Sequence, residues 1–119
     1  MTKIKNYLGE DIEETLEELL DEVVVSITKE YPEAQIILFG SYARGDYTEN
    51  SDLDFCVLVP EIIGRRMDMS VDISCTIRRG FPLPKDVLLY TYDEFEEYAK
   101  SPSRLQYTIK EEGRFLNAQ

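Results

Sequence analysis

The sequence predicts an α/β (α+β) fold. Three observations carry this. A long stretch near the start places apolar residues at steps of three and four, short apolar runs bounded by Pro and Gly follow, and helical patterns return between and after those runs. A length of 119 residues fits one domain spanning 1–119.

The first element is a helix over roughly residues 10–30. Ile12, Leu16, Leu19, Leu20, Val23, Val24 and Ile27 line one face of it. Residues 10–22 hold eight acids and no base, which form its solvated side, and Pro32 ends it. Residues 34–39 (AQIILF) read as a buried strand. Residues 40–51 are rich in Gly, Ser, Asp and Asn and read as a turn, a short helix and a loop. Residues 52–59 (DLDFCVLV) form the second strand, closed by Pro60.

Residues 61–84 carry two patterns. Met67, Met69, Val71, Ile73, Cys75 and Ile77 alternate as a strand would, while Ile63, Met67, Val71 and Cys75 stand four apart as a helix stripe would. Residues 86–91 (DVLLYT) are the third strand. Thr91 followed by Glu94 is a capping-box pair, so a helix covers 92–100. Ser101 and Pro102 open another, with Leu105 and Ile109 on its apolar face and Gly113 at its end. Residues 114–116 add an edge strand. The aromatic set Tyr90, Tyr92, Phe95, Tyr98 and Tyr107 reads as core and helix packing rather than a base-stacking platform.

Composition excludes several classes of function. Thirteen Lys and Arg against 24 Asp and Glu give a net charge of −11. A duplex-binding protein neutralises phosphates with Lys and Arg, and no basic stripe is present to do so. The absence of His removes His-based metal sites and His-dependent triads. Cys56 and Cys75 lack zinc-ligand or CxxC spacing and read as buried small hydrophobes. No apolar run reaches the ~20 residues of a membrane helix. The N-terminus has no apolar signal region, so the expected location is cytoplasmic.

Chemistry concentrates in residues 38–59, LFGSYARGDYTENSDLDFCVLV. A strand delivers the chain to Gly40 and Ser41, where a short helix begins. A helix start presents unpaired amides and partial positive charge. Gly40 lets a phosphate approach the backbone, and Ser41 adds a hydroxyl donor. Arg44 either joins that anion site or pairs with Asp46 or Glu49. Asp52 and Asp54, at i and i+2 on a strand, point to one side beside the phosphate cradle. Oxygen ligands next to a phosphate site suit Mg²⁺.

Two-metal phosphoryl chemistry calls for a third carboxylate. Asp52 and Asp54 open their strand, so a partner at the same end must open a parallel neighbour. A parallel pair needs a crossover of a dozen or more residues, and residues 61–84 are long enough to supply it. That reading makes roughly 62–79 a helix and selects Asp86. Asp72 would be the third acid only if residues 67–77 were the strand.

The pattern Gly40-Ser41, ten residues, then Asp52-x-Asp54 resembles the signature of the DNA polymerase β-like nucleotidyltransferase superfamily. The text GSYARG…NSDLDFCVLV, with PKDVLLYTYDEFEEY and EEGRFL downstream, is similar to minimal nucleotidyltransferase (MNT) domains of bacteria and archaea. The resemblance implies a nucleotidyltransferase fold, a mixed β-sheet with flanking helices. It implies Mg²⁺, two ions, and transfer of NMP, often AMP from ATP. Asp86 takes by resemblance the role of third metal ligand beside Asp52 and Asp54. These three are the expected catalytic residues, with Asp86 placed to take the acceptor proton, and Gly40, Ser41 and Arg44 are the expected nucleotide-binding set.

Many such domains pair with a HEPN-domain protein, in some cases a toxic RNase that the partner neutralises by adding AMP, commonly to a Tyr. The domain is too small to build a deep acceptor pocket, so the expected acceptor is a partner protein, or an oligomer of the chain completes the site. Two other functions remain open on the sequence: a non-catalytic nucleotide-binding regulator of a HEPN protein, and a small-molecule transferase of the antibiotic-modifying kind. The latter usually carries an extra acceptor-binding domain.

Overall fold

The computed structural model describes residues 4–6 and 9–117. Their order is α1 (Leu16–Glu30), β1 (Gln35–Phe39), α2 (Ser41–Arg44), β2 (Leu53–Val59), α3 (Arg66–Cys75), β3 (Lys85–Thr91), α4 (Tyr92–Tyr98), α5 (Leu105–Glu112) and β4 (Arg114–Phe115). The four strands form one mixed sheet in the order β3-β2-β1-β4. β1 runs antiparallel to both β2 and β4. β2 and β3 run parallel, with α3 as the crossover between them.

Helices cover both faces of this sheet. On one face Ile36, Leu38, Phe55 and Val57 pack with Leu19, Val23 and Ile27 of α1 and with Met69 and Ile73 of α3. On the other, Ile37, Cys56 and Leu58 pack with Phe95 of α4 and Ile109 of α5. β2 is thus buried on both sides, which is why it reads as a continuous apolar run rather than an alternating one. Among the described residues no helix is long and apolar enough to cross a membrane.

α1 starts later than its apolar spacing predicts. Thr15 is the N-cap, its Oγ1 accepting from the Glu18 amide at 3.2 Å. The residues before it turn back on the N-terminus instead: Ile12 donates its amide to the Ile4 carbonyl at 2.9 Å, and both side chains enter the core. Ile12 therefore kept the helical spacing without belonging to the helix.

The crossover is helical, as the parallel-pair argument requires, but shorter than 62–79, and its buried face is not the expected stripe. Ile63, Met67 and Val71 are 71%, 77% and 54% exposed. Met69 and Ile73 pack inward instead, leaving Ser70 and Arg66 to reach across the edge of β3. Cys75, on the same outer side, is exposed rather than buried, whereas Cys56 is buried. On α5 a similar exchange occurs. Leu105 is exposed, and Gln106 takes the inner position, its side chain hydrogen-bonded to Tyr90.

Candidate active site

β1 ends at Phe39, and Gly40 turns the chain into α2 with φ +78°. This left-handed backbone suits glycine, and so does the space. A Cβ on residue 40 would lie under 3.0 Å from the Asp54 carboxylate. The first amides of a helix have no acceptor within it, and Gly40 brings no side chain to cap those of α2. The start of α2 therefore carries donors directly beside an acid.

The return loop is held by contacts that sequence reading missed. The Tyr42 and Tyr47 rings stack with centroids 4.2 Å apart. The Ser51 hydroxyl accepts from the Thr48 amide at 2.9 Å, and the Ser51 amide donates to the Thr48 carbonyl at 3.0 Å. No periodicity announces such a stack. Two tyrosines five apart across a glycine are its only trace. These contacts fix the approach to Asp52, which stands one residue before β2.

Asp54 faces two neighbours across the sheet: Phe39 on the antiparallel side and Asp86 on the parallel side. Register partners share a face, and adjacent strands lie about 4.8 Å apart. The Leu53 amide donates to the Pro84 carbonyl at 2.9 Å and locks the two strand starts together. Asp54 and Asp86 are thus brought side by side at the opening of the parallel pair, with Asp52 next to them.

The electrostatics agree with this crowding. The Asp54 carboxyl is raised above its ordinary 3.8, first by burial and then by the charges of Asp86 and Asp52, while the nearby Arg44 charge pulls it the other way. Arg44 also pairs with Asp46 at 3.3 Å, one of the two roles expected for it. Asp72 is elsewhere. It sits on the exposed side of α3, lining a cavity with Glu30, Tyr31, Cys75 and Thr76 at the far end of α1.

Three oxygen-donor acids whose charges oppose one another fit a hard divalent cation, which would relieve the repulsion that raises Asp54. Among the described residues no group of three or more His, Cys, Asp or Glu side chains is placed so that it could hold a metal ion by itself.

The model of the nucleotidyltransferase domain family matches residues 12–116. The chain belongs to this family. A Methanocaldococcus jannaschii protein named as a protein adenylyltransferase, MJ0604, is 48% identical over 84 residues, covering 69% of this chain and 76% of that protein. A second protein named so from the same organism, MJ0141, is 64% identical over 28 residues, which span 24% of this chain and only 28% of that protein. Two solved structures share the fold. A Sulfolobus solfataricus protein described as a nucleotidyltransferase matches with a TM-score of 0.59 at 22% identity, over 84% of this chain and 78% of that one. A toxin–antitoxin structure with AMP-PNP matches with a TM-score of 0.56 at 19% identity, over 84% of this chain and 73% of that one. The chain is accordingly a nucleotidyltransferase with the mixed sheet that its family resemblance implied.

Proposed function

We propose that this nucleotidyltransferase moves AMP from ATP to a hydroxyl, a Tyr side chain on a HEPN-type partner protein, and so acts as an antitoxin. The pairing of Asp54 with Asp86 in adjacent parallel strands is the observation that carries the reading. The name borne by MJ0604 and the toxin–antitoxin neighbour with AMP-PNP support the nucleotide and the partner.

Asp52 and Asp54 would hold one Mg²⁺, and Asp86 with them a second. The ions would supply neutralisation of the triphosphate and acidification of the acceptor hydroxyl. The α2 amides behind Gly40, the Ser41 hydroxyl and Arg44 hold the β- and γ-phosphates and keep the α-phosphorus turned toward Asp86. Asp86 takes the proton as the acceptor oxygen attacks. A new P–O bond forms to the tyrosyl oxygen, the bond to the β-phosphate oxygen breaks, and pyrophosphate leaves with its electron pair.

The test uses ATP labelled on the α-phosphate, Mg²⁺ and the HEPN-type protein purified together with this chain. The wild type labels the partner, with an intact-mass gain of one AMP, and Asp52→Asn and Asp54→Asn do not. Equal labelling by all three proteins would remove the acids from the chemistry. Neutralisation of the partner with no AMP adduct would favour a regulator acting by contact.

A further inference from the structure

Asp54 has an aromatic neighbour that the chemistry above leaves unused. Phe39 stands opposite it in the antiparallel ladder, as Asp86 does in the parallel one. Register partners in neighbouring strands share a face of the sheet. One row across that face therefore runs Phe39, Asp54, Asp86, from β1 to β3.

This row is where the helical cover of the sheet stops. In the next row on the same face, Ile37 and Cys56 are buried with Phe95 of α4 and Ile109 of α5. Phe39 and Leu88 pack against that cluster and are only partly buried. β1 is buried from Ile36 to Leu38 and opens at Phe39. Phe39 is thus anchored in the core yet partly open, on the face that carries the acids.

The two ends of the row differ. Gly40 follows Phe39 directly and turns the chain into α2, so the phosphates of the proposed reaction lie at the β1 end. Asp86, assigned to the acceptor proton, lies at the β3 end. The nucleotide therefore belongs beside Phe39, and the acceptor beside Asp86 and Leu88. The other aromatic pair near the acids is committed elsewhere. Tyr42 is buried in the cluster under α1 and α3, on the opposite face, with Tyr47 stacked on it.

We propose that Phe39 is the nucleoside platform: its ring receives the base of the nucleotide whose phosphates sit at the start of α2. The proposal rests on the transferase reading and adds to it the residue that tells a nucleotide from a bare polyphosphate. A base stacks on an aromatic ring through its flat face, with little regard to which base it is. An aliphatic side chain fills the space against Ile37 and Cys56 equally well but offers no such surface. Phe39 takes no proton and holds no metal; it acts by binding alone.

Titration calorimetry on the whole chain with Mg²⁺ tests this, with ATP and inorganic triphosphate compared side by side. The wild type is expected to bind ATP more tightly than triphosphate. Phe39→Leu should weaken ATP about tenfold, the scale of one lost base stack, and leave triphosphate unchanged. The chain contains no Trp, so Phe39→Trp supplies a second, independent reading from a single fluorophore. Its fluorescence should be quenched by Mg·ATP and not by Mg·triphosphate. Equal weakening of both ligands in Phe39→Leu would mean that the residue only supports the Gly40 turn, and would overturn the proposal. Unchanged ATP affinity in that variant, or a Phe39→Trp signal indifferent to ATP, would overturn it while leaving the transferase reading in place. A wild type that binds neither ligand would overturn both.

Discussion

Gly40 packs against Asp54 so tightly that no side chain fits between them: a Cβ would meet the carboxylate inside 3.0 Å. The glycine that turns the chain into α2 is therefore also the wall behind Asp54. Gly40→Ala must both adopt φ +78° and displace Asp54. We expect a loss of about 2 kcal/mol in urea unfolding, in the range of a strained backbone plus an overpacked contact. Mg·ATP affinity, measured by titration calorimetry, should fall with it.

Asp54 is held at a cost to the fold. Its carboxyl is raised above 3.8 by burial and by Asp86 and Asp52. A raised acid penalises the folded state wherever it is ionised. The penalty is full above the folded value and disappears as pH falls below the unfolded one. Asp54→Asn should therefore raise the melting temperature of the metal-free protein at neutral pH, by an amount that shrinks toward acid. Added Mg²⁺ with ATP should stabilise the wild type and leave the variant unmoved.

Arg66 ties the crossover helix to the capping box of α4. Its guanidinium makes two hydrogen bonds to Glu94, at 3.0 and 2.5 Å, and Glu94 also accepts from the Thr91 amide at 2.8 Å. The Glu94 carboxyl is held below its ordinary 4.5, first by the Arg66 hydrogen bond and then by the Thr91 amide. A lowered acid stabilises the fold fully above 4.5 and loses that contribution as pH falls through the folded value. Glu94→Gln keeps the amide contact and loses the ion pair. We expect a loss of about 1 kcal/mol near neutral pH, given the partial exposure of the pair, and near-identity with the wild type in strong acid.

The two cysteines should separate cleanly by reactivity. Burial pushes the Cys56 thiol up to about 12, and Cys75 is exposed. A thiol-reactive chromophore should label one site per native chain within the mixing phase of the reaction and a second only on unfolding. Rapid labelling of both would mean that the layer under α4 and α5 opens readily.

Much of this arrangement was legible in the sequence because it is local. The spacing of Gly40, Ser41, Asp52 and Asp54 marks a helix start and a strand start that fold next to each other. Asp86 is 32 residues from Asp54 along the chain, and the rule that parallel strands need a crossover, together with the family resemblance, placed it at the same sheet end. What the sequence hid has one cause. Spacing reports which residues could share a face, whereas the sheet decides which face is covered. Met67 and Val71 have the spacing of a core stripe, yet Met69 and Ile73 meet the sheet. Ile12 has the spacing of α1, yet Thr15 starts that helix. The stack of Tyr42 on Tyr47 depends on the loop's path and has no periodic signature.

The claim beneath all of this is that Asp52, Asp54 and Asp86 gather divalent ions in front of the α2 amides. Crystals grown with Mn²⁺ and a non-hydrolysable ATP analogue test it through anomalous scattering. The expected map holds manganese at about 2 Å from Asp52 and Asp54 oxygens, a second peak against Asp86, and the triphosphate at the start of α2. Manganese bound elsewhere, or nucleotide bound with these three carboxylates free of metal, would contradict it.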